Sequence, residues 1–140
     1  MLVVVALLAM LATVATGFLS GTASSADRAR AIAAVRRVDA MARALARTDG
    51  AVRLTLLDEG RRIETQLSAT QEGQPAEWST PMPDGTALGL VRERPLSSVE
   101  IDATGRSLDF SYVITVPSGD VTLDVAGRTG QVSERTGGHQ

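Results

Sequence analysis

LVVVALLAMLATVATGFL, residues 2–19, is an uncharged run in which only Thr13, Thr16 and Gly17 interrupt the apolar side chains. A threonine hydroxyl can bond back to a helical carbonyl, so the run reads as one helix without a polar break. At about 1.5 Å per residue it spans roughly 27 Å, slightly less than a hydrocarbon core of about 30 Å. It is expected to anchor the chain in a bilayer as a single pass, through Leu2, Val5, Leu8, Leu11, Val14 and Phe18. No Lys or Arg precedes the run, whereas Arg28, Arg30, Arg36 and Arg37 follow it. Taken alone, the positive-inside rule would leave the rest of the chain in the cytoplasm. Ser24 and Ala26 make a small-x-small pattern before Asp27, so the alternative is a cleaved secretory signal that lacks the usual basic n-region.

Outward from the run, Gly17 to Ala26 is rich in Gly, Ser, Thr and Ala and reads as a hinge, so that residues 1–26 form the membrane helix and its hinge. Helical periodicity resumes in DRARAIAAVRRVDAMARALARTD, residues 27–49. Ile32, Val35, Val38, Ala42 and Leu45 recur at steps of three or four, laying one narrow apolar stripe that should pack this helix on its own body. Arg36, Asp39, Arg43 and Arg47 fall off the stripe and read as a solvated face, with Asp39 and Arg43 an i,i+4 pair worth about a few tenths of a kcal/mol. Arg28 and Arg30 stand nearest any anionic lipid head groups. Asp49-Gly50 ends the helix, because Gly50 can take the left-handed conformation.

From Gly50 the period changes from helix to strand. Val52 to Leu57 and Arg61 to Leu67 flank Asp58-Glu59-Gly60 and read as a hairpin. Thr70 to Thr86, with Pro75, Pro81, Pro83 and the lone Trp78, reads as a loop region. Ala87 to Val91 reads as a short strand that Pro95 ends. Val99 and Ile101, then Leu108, Phe110, Tyr112, Ile114 and Val116, then Val121, Leu123 and Val125 each alternate with polar or small partners. Thr104-Gly105 and Pro117-Ser118-Gly119-Asp120 are the turns between them, and Val132 is placed for a last short strand. Alternation of this length implies an antiparallel sheet with one packed face and one wet face. The expected organisation is α+β: one long N-terminal helix, half membrane and half amphipathic, packed on an antiparallel β body over residues 50–134, with a flexible tail over 135–140.

That order, together with MLVVVALLAMLATVATG, resembles the type IV pilin and pseudopilin plan. The family's usual form has a short basic leader, a Gly-Phe-Thr-Leu-x-Glu cleavage motif and then a run such as LLVVVALLALLA. The resemblance implies that Met1 is an internal codon taken as the start, that the missing leader orients the helix, and that the new amino terminus is methylated after cleavage. None of those residues is in this sequence. Trp78 followed by Met82-Pro83-Asp84-Gly85 and a hydrophobic strand is similar to a leucine-proline-x-glycine-valine stretch of H-type minor pseudopilins, with Met82 where leucine is usual. Val121 to Val132, a strand, a Thr-Gly turn and a short valine strand, is similar to that family's closing segment. The resemblance implies a structural, non-catalytic minor pseudopilin of a type II secretion pseudopilus. It also implies a bacterial inner-membrane location with the body in the periplasm, and other pseudopilins, inner-membrane secretion components and the lipid bilayer as partners. The alternatives are a type IV minor pilin, including one for DNA uptake, and a signal-cleaved, secreted β-rich binding domain.

Composition narrows the chemistry in the same direction. The chain of 140 residues has no cysteine, and its single histidine, His139, stands one residue from the end and reads as a tail residue. Disulfide, thiol and cysteine–metal chemistry are excluded, and zinc hydrolase or serine-triad sites are not expected. No cofactor and no metal site are expected. The net charge of −2 conceals a separation, since residues 27–47 hold six arginines against two aspartates and residues 48–140 hold eight arginines against fourteen acids. Glu100, Asp102, Asp109, Asp120 and Asp124 fall on polar strand phases or in turns and read as a solvated face. Asp120 with Asp124 is too few oxygens for calcium, and nothing marks a buried carboxylate pair of the kind glycoside hydrolysis needs. Trp78 and Tyr112 read as core residues in preference to a ligand platform. Gly127-Arg128-Thr129-Gly130 lacks the lysine and helix of a phosphate loop. It also begins like a Gly-Arg-x-Arg DNA-uptake motif but loses the second arginine, so on an acidic body nucleic acid is an unfavoured partner.

Overall fold

The computed structural model describes residues 2–68 and 77–135. Within that range, the side chains of residues 2–24 other than Val4, Ala6, Ala9 and Met10, and that of Glu77, fall outside the description. Of the flexible tail expected at residues 135–140, Arg135 is instead the last residue of a strand that pairs with its neighbour. Residues 136–140, with His139, lie outside the described residues, as do the side chains of Leu2, Val5, Leu8, Leu11, Val14 and Phe18. Among the described residues no helix is long and apolar enough to cross a membrane; most side chains of the run 2–19 are not in that set.

Helix α1 (Leu2–Asp49) is continuous over 48 residues. The hinge expected at 17–26 is therefore not a break in the backbone. No proline interrupts the segment, and single glycines cost a helix interior only about 1 kcal/mol each relative to alanine. Gly50 closes α1 at φ +104°, donating its N–H to the Ala46 carbonyl at 3.2 Å. Residues 25–30 are exposed, and burial begins at Ala31.

The strands are β1 (Val52–Leu57), β2 (Arg62–Leu67), β3 (Glu77–Pro81), β4 (Ala87–Val91), β5 (Pro95–Leu96), β6 (Ser98–Ile101), β7 (Phe110–Val116), β8 (Gly119–Ala126) and β9 (Gln131–Arg135). They form two antiparallel sheets, ordered β3-β2-β1-β6 and β5-β4-β7-β8-β9. Val52, Leu54, Ile63, Leu67, Val99 and Ile101 of the first sheet join Leu88, Leu90, Tyr112, Ile114, Val121, Leu123 and Val125 of the second in one core beneath α1. Every one of these obeys the period-2 pattern that marks a sheet's packed face.

Two strands arise where the sequence reads as loop or stop. β3 lies inside the expected loop of 70–86, paired with β2 from Arg62↔Pro81 to Gln66↔Glu77. It is an edge strand, the position in a sheet where proline's missing N–H is tolerated, and Trp78 thereby packs against the core. β5 pairs Leu96 with Leu90, so Pro95 begins a short strand where it was expected to mark an end. Leu108, expected on the packed phase of β7, precedes that strand and is 64% exposed. The strand begins only at Phe110, after the Asp109 carboxylate has accepted the Gly127 N–H at 2.7 Å.

The β1–β2 turn ties the two sheets together. Asp58, Glu59 and Gly60 all have positive φ, and Gly60 lies so close to β4 that an added Cβ would stand 2.0 Å from the Leu88 carbonyl oxygen. Only glycine meets both demands, the left-handed backbone and the absence of a side chain.

Candidate functional site

The helix–sheet interface is where the chain's most constrained chemistry lies. Ala31, Val35, Val38, Ala42 and Ala46 are buried on the inner face of α1, and Ile32 and Leu45 are half-buried beside them. Of the expected stripe, Val35, Val38 and Ala42 form its centre, whereas Ile32 and Leu45 lie on its flanks. Ala31 and Ala46 were missed because the pattern favours large side chains. Here small ones let the helix backbone approach the sheets.

Asp39 and Arg43 do not lie on a solvated face. They are 1% and 4% exposed, and they stand in the same interface as the apolar stripe. Helical geometry permits this, since 39 and 43 are one turn apart and share the direction of 35, 38, 42 and 46. Arg43 Nε donates to Asp39 Oδ2 at 2.8 Å. Nη1 donates to the carbonyls of Gly105 at 2.9 Å and Gly127 at 3.2 Å, and Nη2 donates to Ser107 Oγ at 3.2 Å. The second carboxylate oxygen, Asp39 Oδ1, accepts the Tyr112 hydroxyl at 3.0 Å. The guanidinium is therefore shared among the helix, the β6–β7 connection and the β8–β9 turn. A buried ion pair is tolerable when its remaining donors and acceptors are satisfied in this way.

This knot accounts for several residues that the sequence left ambiguous. Tyr112 is a core residue, as expected, in T-shaped contact with Phe110 at a centroid distance of 5.0 Å. Its hydroxyl is held well above the ordinary tyrosine pKa, chiefly by burial and then by the adjacent Asp39 carboxylate, which disfavours a phenolate. Gly127-Arg128-Thr129-Gly130 is the turn that caps Arg43. Gly127 supplies an acceptor, and a Cβ on Gly130 would stand 2.9 Å from Arg43 Cδ. Arg128 is exposed. Glycine at 130 leaves room for the Arg43 side chain, and glycine at 127 leaves room for the Ser107–Leu108 main chain.

On the body's surface the acidic residues have specific partners. Asp124 is held below the usual carboxylate range, first by the Ser111 hydroxyl at 2.6 Å and then by a forked contact with Arg135. Asp102 is lowered by the Thr104 hydroxyl and by the main-chain N–H groups of Arg106 and Thr104, which close the turn after β6. Arg53 pairs with Glu100, and Arg28 pairs with Glu134 at 2.6 Å, the first link between α1 and the body. Among the described residues no group of three or more His, Asp or Glu side chains is arranged to hold a metal ion.

A long N-terminal helix laid on two antiparallel sheets and keyed to the loops at one end defines the pilin-like α+β fold. Solved structures with this arrangement include the type IV minor pilin FimU of Pseudomonas aeruginosa strain PAO1, with a TM-score of 0.56 and 14% identity over 78% of this chain and 90% of that one. They also include the minor pseudopilin EpsH from the type 2 secretion system of Vibrio cholerae, with a TM-score of 0.53 and 13% identity over 76% of this chain and 96% of that one. No protein-family model and no curated protein matches the chain. At these identities the likeness shows the fold, which is the one that the resemblance in sequence implied, and it does not single out the H type.

Proposed function

We propose that the chain is a structural, non-catalytic subunit of a pilus- or pseudopilus-type filament, and within that class a minor pseudopilin of a type II secretion apparatus. The observation that carries this reading is α1 itself. Residues from Ala31 onward are keyed into the body, and the same unbroken helix extends back through the apolar run 2–19. In this reading the run stores the subunit in the inner membrane and then packs with like helices. The body lies in the periplasm against neighbouring pilin-like subunits and inner-membrane secretion components. The knot at Arg43 keeps helix and body in one orientation while the apolar half changes surroundings. The narrower assignment is supported by Trp78 and the Met82-Pro83-Asp84-Gly85 turn leading into β4, and by the β8–Thr129-Gly130–β9 closing segment.

Mass spectrometry of the protein extracted from membranes tests the reading. A mature chain that retains residues 2–19 behind a methylated amino terminus is expected, and a chain beginning at Asp27 overturns it. Deleting the gene then separates the narrower alternatives: loss of protein secretion with pili intact supports the pseudopilin, and the reverse supports a minor pilin. A DNA-uptake role is disfavoured by the acid surplus of the body and by the use of Gly127 and Gly130 to hold Arg43.

A further inference from the structure

We infer that the free edge of β6 is a docking groove for an extended, acidic segment of a partner polypeptide, which adds to the first sheet as a further strand. A cavity of about 570 Å³ runs along the whole of β6, between that strand and the residues that lead into β7. β6 is an edge strand, bonded to β1 only. The Ser97 carbonyl accepts the Leu56 N–H at 3.1 Å. Antiparallel alternation therefore turns residues 97, 99 and 101 toward β1 and leaves the main-chain N–H and C=O of Ser98 and Glu100 on the open side. Asp102, next in that phase, already gives its N–H to the Arg106 carbonyl at 2.7 Å. The groove thus offers an unpaired strand edge at its wall, the feature on which β-strand addition relies.

Its side chains specify what could lie there. Leu108 is 64% exposed and Leu96 half-buried, both lining the cavity, and they present apolar surface to alternate residues of an added strand. The acids of the groove are already engaged: Glu100 with Arg53, Asp102 with Thr104 and the Arg106 N–H, and Asp109 with the Gly127 N–H. The cations are not. Among the described residues the guanidinium groups of Arg92 and Arg106 make no hydrogen bond or ion pair, and Arg106 contributes only to the field at Asp102. A strand that alternates carboxylates with aliphatic residues satisfies the open edge, the leucines and the two arginines together. A nucleic acid strand fits less well, because Phe110 is buried away from stacking and the body carries an acid surplus. The inference does not depend on the filament assignment.

The test uses the full chain in detergent micelles and an acetylated, amidated hexapeptide alternating aspartate with valine. Binding is expected to shift the amide resonances of Ser98 and Glu100 and to leave the free edge of β9 unchanged. Replacing aspartate by asparagine in the peptide should weaken binding roughly tenfold, as expected for the loss of two ion pairs at the rim. N-methylation of alternate peptide amides should abolish binding. The pair Arg92→Glu and Arg106→Glu should reverse the preference toward a lysine–valine peptide, and the pair Arg92→Gln and Arg106→Gln should remove the preference without changing the melting temperature. Binding that survives N-methylation, ignores both arginine pairs, maps to another edge, or is matched by an oligothymidylate overturns the proposal, as does absence of binding at about millimolar peptide.

Discussion

Arg43 shows how much one side chain can carry when its charge is absorbed inside the protein. It satisfies Asp39, two carbonyls and a hydroxyl from three parts of the chain. Arg43→Met alone should cost about 3–5 kcal/mol, because the Asp39 carboxylate would stay buried without its counter-ion. Adding Asp39→Leu should recover most of that loss, since apolar residues of similar volume often replace a buried ion pair without penalty. Urea unfolding followed through Trp78, the only tryptophan, reads both. Tyr112→Phe should cost about 1–3 kcal/mol by leaving Asp39 Oδ1 unsatisfied. Tyr112 also gives a pH signature. Its pKa is raised by folding, so its contribution is complete below the unfolded value of about 10 and is lost as pH climbs from there toward the folded value. The chain has one tyrosine, so phenolate absorbance reports this residue alone. The titration should lie well above that of free tyrosine until the protein unfolds, and in Tyr112→Phe the alkaline loss of melting temperature should be shallower.

At the scale of elements, α1 and the β1–β2 hairpin are held by opposite means. The helix is held by a face of small and β-branched side chains, centred on Val35. Val35→Asp should therefore cost about 4 kcal/mol or more, an unpaired charge in a closed interface, whereas Leu45→Asp on the flank should cost markedly less. If the two variants melt alike, the azimuth assigned to the helix is wrong. The hairpin is held by the absence of a side chain. Gly60→Ala should destabilise by at least about 2 kcal/mol, since it combines positive φ with a clash against the Leu88 carbonyl. A nearly neutral result would mean that the turn can withdraw from β4. Both elements were legible in outline. The step of three or four in residues 32–45 and the Asp58-Glu59-Gly60 punctuation are local signals that survive without knowledge of the fold. β3 was not legible, because the prolines around Trp78 read as loop, and edge position excuses them only once β2 lies alongside.

For the whole molecule, stability at low pH should depend on the outer face of the second sheet. Asp124 has its pKa lowered by folding, so the contribution of its links to Ser111 and Arg135 is complete above the unfolded carboxylate value of about 3.9 and is lost as pH falls through the folded value. Asp124→Asn should flatten the acid limb of the melting profile, and hydrogen exchange should show β9 opening first in acid, because Asp124 and Arg135 join β8 to β9. The body's core is mostly aliphatic, with Phe110 and Tyr112 among its buried side chains, and the Asp39–Arg43 pair, both residues of α1, leaves the charge separation between helix and body unchanged. The remaining arginines of α1 from Arg28 to Arg47 are exposed, so the polarity of the assembled surface is basic helix against acidic body.

The sequence by itself determined the apolar run, the amphipathic continuation, the alternating strands and the pilin-like order of one helix before a β body. These are periodicities, and a period is set by neighbours within a few residues. Only the tertiary structure decided which way Asp39 and Arg43 face. An i,i+4 ion pair reads the same on a wet surface and in a closed interface. The difference lies in acceptors at Gly105, Ser107 and Gly127, which stand 62, 64 and 84 residues from Arg43 along the chain and meet it only when two sheets close over the helix.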